Sequence, residues 1–124
     1  MDADRSARIT IDQQEYRLVL TTRATKEIAR RYGGLENLGE KLLKAENFEM
    51  ALEEIVWLIA LLANQGILIR NRMEGEKRPL LTEEDVELLT SPMELAVFKD
   101  AILEALLKGT RRDVESEENP SKNA

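Results

Sequence analysis

The 124-residue chain has no cysteine and no histidine, and it carries a single tryptophan. Without cysteine there are no disulfides, no thiolate nucleophile and no Cys/His zinc site. Without histidine the usual imidazole base is missing too, and Ser-His-Asp chemistry with it. A self-contained enzyme is therefore not expected, and no catalytic, metal or cofactor residue is assigned. Long apolar runs are also scarce. The longest covers residues 55–63 (IVWLIALLA), about half of the roughly 20 residues that a helix needs to cross a bilayer. No membrane span is expected. The first residues, MDADRS, are charged and lack the apolar core of a signal peptide, which predicts a cytoplasmic protein.

The chain is long enough for one domain with a modest core. Eighteen Lys and Arg face 24 Asp and Glu, for a net charge of −6. The balance is uneven along the chain: 9 basic against 7 acidic side chains over residues 1–44, and 9 against 17 over 45–124.

Residues 1–8 read as a flexible start. Ile9-Thr10-Ile11 and Tyr16-Arg17-Leu18-Val19-Leu20 alternate apolar with polar, and the polar stretch 12–15 between them predicts a β-hairpin. A hairpin alone is marginal in water, so its apolar face must lie against helices. Thr21 and Thr22 can cap a helix starting near Arg23, with Ala24, Ile28 and Tyr32 on one stripe and Gly33-Gly34 as its stop. A second helix over 35–44 presents Leu35, Leu38, Leu42 and Leu43. Asn47 then caps a third, running from Phe48 to about Gln65. Its first half is amphipathic (Phe48, Ala51, Leu52, Ile55), and its second half is apolar all round, as befits a central buried helix. Gly66 breaks or bends it, and residues 70–77 read as an exposed polar loop. A short helix starts at Thr82-Glu83-Glu84-Asp85, and a last one at Ser91-Pro92-Met93-Glu94. The last helix points Leu95, Phe98, Ile102, Ala105 and Leu106 inward and stops at Gly109, leaving 109–124 as a disordered tail. The expected fold is α+β and mostly α: residues 9–108 form one domain, with an N-terminal hairpin packed on about five helices.

Three groups of residues invite a functional reading. Arg23, Lys26 and Arg30 share a helix face and could track a polyanion. The net negative charge and the lack of aromatics between the cations favour a solvated face or an acidic protein partner, not nucleic acid. The acids Glu83, Glu84, Asp85 and Glu87 could hold a hard cation, but helix first turns collect acids for dipole reasons alone, and EF-hand spacing is missing. Trp57 reads as core. However, a helix apolar on every side has more surface than a hairpin and short helices can cover, and the excess would serve a partner or a second copy of the chain. The candidate partner-binding residues are Trp57, Leu61, Ile67, Leu68, Ile69, Phe98 and Ile102.

The order of elements resembles a known family. Ile9-Thr10-Ile11-Asp12, Glu15-Tyr16-Arg17-Leu18, residues 20–28 (LTTRATKEI), 32–38 (YGGLENL), 48–66, Pro79-Leu80-Leu81-Thr82 and the helix after Ser91-Pro92 are similar in pattern to the tail assembly chaperones of long-tailed bacteriophages, of the Gram-positive-host type. The likeness spans about residues 8–108. It departs at Asp12-Gln13, where such sequences often carry Asp-Gly; glutamine is disfavoured at the positive φ of a type I′ turn, so a longer loop is expected. The resemblance implies a non-enzymatic protein that binds the tape-measure protein and keeps it soluble before tail-tube assembly. The tail-tube protein and a second copy of the chain are further partners it allows. It also implies a tail that links to the extension of a frameshifted product. A rival reading from a different class is a small acidic phage inhibitor of a host defence or nucleic-acid-binding protein, its carboxylates imitating nucleic acid.

Overall fold

A computed structural model describes the backbone of residues 6–43 and 48–123, and the side chains of residues 6–38, 41 and 51–110. The elements run β1 (Ser6–Ile11), β2 (Gln14–Val19), α1 (Thr22–Tyr32), α2 (Leu35–Leu43), α3 (Phe48–Glu74), α4 (Glu83–Leu89) and α5 (Pro92–Asn123). This is the α+β, mainly helical architecture expected from the sequence, with an antiparallel hairpin packed on helices.

The hairpin register pairs Ala7 with Leu18, Ile9 with Tyr16 and Ile11 with Gln14. Ala7, Ile9, Ile11 and Leu18 are all buried. The strand starts earlier than the sequence suggested, at Ser6. Ser6 and Ala7 are small enough to lie buried at the strand's start, and Lys108 Nζ donates to Ser6 O at 3.0 Å. The turn is tighter than expected as well. Asp12 (φ 51°) and Gln13 (φ 70°) form the whole two-residue connection, both in the left-handed region, as a type I′ turn requires. Side-chain burial explains why glutamine tolerates this. Shifting the register by one residue would turn the inward set to solvent, and that loss exceeds the roughly 1–2 kcal/mol of a left-handed residue.

β2 lies against α3, and β1 against α5. Two glycines set how closely these helices approach. A Cβ on Gly66 would stand 2.7 Å from the Arg17 carbonyl oxygen, and one on Gly109 would stand 2.9 Å from Leu20 Cβ. Neither glycine stops its helix. α3 passes through Gly66 to Glu74, taking in residues 70–74 of the expected loop, and α5 passes through Gly109. The expected disordered tail is thus entered as helix: Thr110 Oγ1 donates to Leu106 O at 2.9 Å, and the α5 backbone is helical to Asn123.

The local stop and start signals act where the sequence places them. Thr21 Oγ1 accepts from Ala24 N at 3.0 Å, and Gly33 closes α1 in the left-handed conformation. Thr82 and Asp85 form a reciprocal capping box at α4. Ser91 and Glu94 form another at α5, with bonds of 2.9 and 3.3 Å. The Asn47 cap and the side chains of Leu42, Leu43 and Phe48 lie outside the described residues.

α3 is the axis of the core. Ile55, Val56, Leu58, Ile59, Leu62 and Ala63 are buried in one cluster with hairpin, α1, α4 and α5 residues. Over Ala51–Glu74 it also has the length and hydropathy of a helix able to cross a membrane; in this fold that stretch packs against β2, α4 and α5. Two asparagines one heptad apart zip the following chain back along α3. Asn64 exchanges two hydrogen bonds with the Leu81 backbone (2.7 and 2.8 Å), and Asn71 exchanges two with Arg78 (both 3.1 Å). Gln65, buried, ties α1 to α3 by accepting from Thr21 Oγ1 at 2.5 Å.

Candidate functional site

The seven residues proposed from the sequence do not form one face. Phe98 (7% exposed) and Ile102 (0%) belong to the core; they lie on the inward stripe of α5 and present no surface to a partner. Trp57 and Leu61 are half-buried and pack against that core. Ile67, Leu68 and Ile69 are half-buried further along α3, about 15–18 Å from Trp57 at 1.5 Å per residue.

Around Ile67–Ile69, α3 forms a ridge between two open grooves. One, of about 750 Å³, is lined by Leu20, Thr22, Arg23, Leu68, Ile69 and Arg72 among others. The other, of about 570 Å³, runs beside β2 and includes Tyr16, Arg17, Gly66, Ile67, Met73 and Pro79. Arg23 and Lys26 of the basic stripe are exposed, and Arg30 is paired with Glu27 at 3.0 Å.

Trp57 sits in a polar clasp. The Arg31 guanidinium lies 4.4 Å from the Trp57 ring centroid and 5.7 Å from that of Tyr32, while the two rings meet edge-on at 5.9 Å. Arg31 reaches Glu54 with Nε at 3.2 Å and a second guanidinium nitrogen at 3.5 Å, and the Tyr32 hydroxyl donates to the same carboxylate. Burial raises the Glu54 pKa, but the hydrogen bonds from Tyr32 and Arg31 outweigh it and hold the carboxyl below its usual range. Burial first, and then the bond to Glu54, push the Tyr32 hydroxyl up. The clasp joins α1 to α3.

The sign of the resulting pH dependence follows from linkage. A carboxyl whose folded pKa lies below its unfolded value stabilises the fold above the unfolded value and loses that contribution as pH falls through the folded one. Stability of the wild-type chain is expected to drop as pH falls below about 4.3, and Glu54→Gln is expected to flatten part of that acid limb. Urea midpoints between pH 3 and 7 check this. An acid limb of equal slope in wild type and variant would dissociate Glu54 from it.

Met73 at the end of α3 is 77% exposed, and a group of four exposed apolar side chains lies where α4 meets α5. Leu88 is 74% exposed, Met93 79% and Val97 63%, with Leu89 at 45%. α4 buries Val86 alone, and Met93 and Val97 stand at i, i+4 on the side of α5 opposite Leu95 and Phe98. The acids Glu83, Glu84 and Glu87 are exposed on the same short helix, while Asp85 is used in the α4 cap. Nearby, the Tyr16 hydroxyl is pushed up by burial and then by the Asp85 and Asp12 charges. Among the described residues, no group of three or more acidic side chains gathers in a way that could hold a metal ion.

No family model matches the chain, and no curated protein or solved structure matches it either.

Proposed function

We propose that the chain is a tail assembly chaperone of a long-tailed phage. It acts in the host cytoplasm, by binding and not by catalysis, and holds the tape-measure protein in solution until the tail tube assembles around it. The residue pattern over 8–108 supports this family. The observation that carries the mechanism is the set of large apolar side chains left in water at the α4–α5 joint, on a surface with net negative charge. A tape measure is a long, largely helical and apolar chain. A chaperone for it needs apolar contact area to cover such helices and charge to keep the complex dispersed.

The acidic-inhibitor reading is less favoured by the charge arrangement. Glu27, Glu54, Glu74, Glu76 and Glu104 are each within 4.0 Å of an Arg or Lys of this chain. A mimic of a phosphate backbone needs a long stripe of free carboxylates, whereas Glu83, Glu84 and Glu87, unpaired among the described residues, sit on one seven-residue helix beside exposed leucines.

Co-elution tests the chaperone reading. The tape-measure protein from the same phage, produced together with this chain, is expected to run with it as one soluble species on a sizing column. A tape measure that stays in the pellet while a host nucleic-acid-binding protein elutes with the chain would replace the chaperone with the inhibitor.

A further inference from the structure

We propose that the α4–α5 elbow is a docking surface for a cationic amphipathic helix, one with an apolar face bordered by Lys or Arg. Two independent features of residues 82–98 point to that occupant. The first is apolar area: Leu88, Leu89, Met93 and Val97 are exposed on either side of the two-residue joint Thr90–Ser91. Two of them lie at the end of one helix and two within the first turns of the next, and a helical partner with anchors at i, i+3 or i+4 and i+7 would use such a surface. Methionine adds an adaptable contact to it.

The second feature is charge. Residues 82–98 hold five acids (Glu83, Glu84, Asp85, Glu87, Glu94) and no Lys or Arg. Among the described residues, no ion pair neutralises Glu83, Glu84 or Glu87, although acids elsewhere on the fold are paired. Exposed apolar side chains interleaved with acids, as over residues 83–97, select an apolar helix bordered by cations: the charges steer the encounter and reject acidic competitors. The same charge argues against a second copy on this surface, because two identical elbows would bring like charges together. The exposed α1 cations of a second copy, Arg23 and Lys26, stand on a helix whose own apolar side chains Ala24 and Ile28 are already buried.

The inference deepens the chaperone reading, and rests on it only in taking the tape measure as the natural source of the helix. The surface itself is tested with a defined probe: a labelled 18-residue Leu/Lys peptide with all its leucines on one helical face, followed by fluorescence anisotropy. The full chain is expected to bind this peptide, more weakly in 0.5 M salt than in 0.05 M. The double variant Leu88→Ser/Val97→Ser is expected to bind at least tenfold more weakly, and Glu84→Gln/Glu87→Gln several-fold more weakly. All four positions are exposed, so melting curves of both variants should match the wild type; Met93→Gln is the substitute if the serine variant does not fold. Equal binding by wild type and variants, or equal binding of a peptide with Glu in place of Lys, would overturn the proposal. The two readings also fail separately. A tape measure held in solution equally well by the serine variant would remove this surface and leave the chaperone standing. Peptide binding that follows the variants, beside a tape measure that stays insoluble, would keep the surface and remove the chaperone.

Discussion

Replacing Gly66 with valine is expected to destabilise the fold by about 2–3 kcal/mol, the cost of forcing extra atoms into a packed site. In an exposed helix interior the general trend runs the other way. Glycine costs roughly 1 kcal/mol against alanine there, so filling the position with a better helix former normally helps. At Gly66 the trend reverses because a Cβ would stand 2.7 Å from the Arg17 carbonyl oxygen. That oxygen belongs to the backbone of β2 and cannot swing aside as the tip of a long side chain can. Either α3 retreats from the hairpin, opening the β2–α3 contact, or the strand bends. Urea unfolding reads the effect, and a midpoint at or above the wild type would mean that helix and hairpin do not approach this closely.

Ile102→Ala is expected to cost about 2–5 kcal/mol, the range for emptying a buried aliphatic site. Against a total stability of about 5–15 kcal/mol, that brings a domain of this size near its limit. Ile102 has no exposed surface and lies in the cluster that joins α5 to the hairpin and α3. The informative comparison is Val97→Ala on the same helix, expected to stay within about 0.5 kcal/mol of the wild type because its side chain is mostly in water. If the two substitutions cost the same, the orientation assigned to α5 is wrong.

These two sites also mark where sequence reasoning stops. The caps at Thr21, Thr82 and Ser91 were legible because each depends on residues within three positions of itself. The inward stripe of α5, from Leu95 to Leu106, was legible because a 3.6-residue period reports one buried side. That stripe already placed Phe98 and Ile102 inside, so assigning them to a partner as well asked one side chain to serve two environments. Gly109 was misread as a helix stop, and Gly66 as a break or bend. The glycine that ends a helix and the glycine that lets a strand come close have the same local sequence, and only the packing partner, Arg17 or Leu20, tells them apart. Asn64 and Asn71 were invisible for a similar reason: their partners at Leu81 and Arg78 lie 17 and 7 residues away in a segment without periodicity.

The candidate surface was half legible. The sequence showed that the chain has more apolar side chains than its elements can cover, and placed the surplus on α3. The fold covers much of α3, Met73 near its end excepted, and leaves a further surplus at Leu88, Met93 and Val97. The clue was present: Met93 and Val97 fall off the inward stripe of α5, and the seven residues of α4 are too few to bury both Val86 and its leucines.

The most direct test of the proposed chaperone role is the soluble yield of a tape-measure protein encoded with this chain, produced with the wild-type chain, with Leu88→Ser/Val97→Ser, or alone. A soluble tape measure is expected with the wild type, and a pelleted one with the variant or alone. A tape measure that pellets in all three, or that is soluble without the chain, would contradict that role.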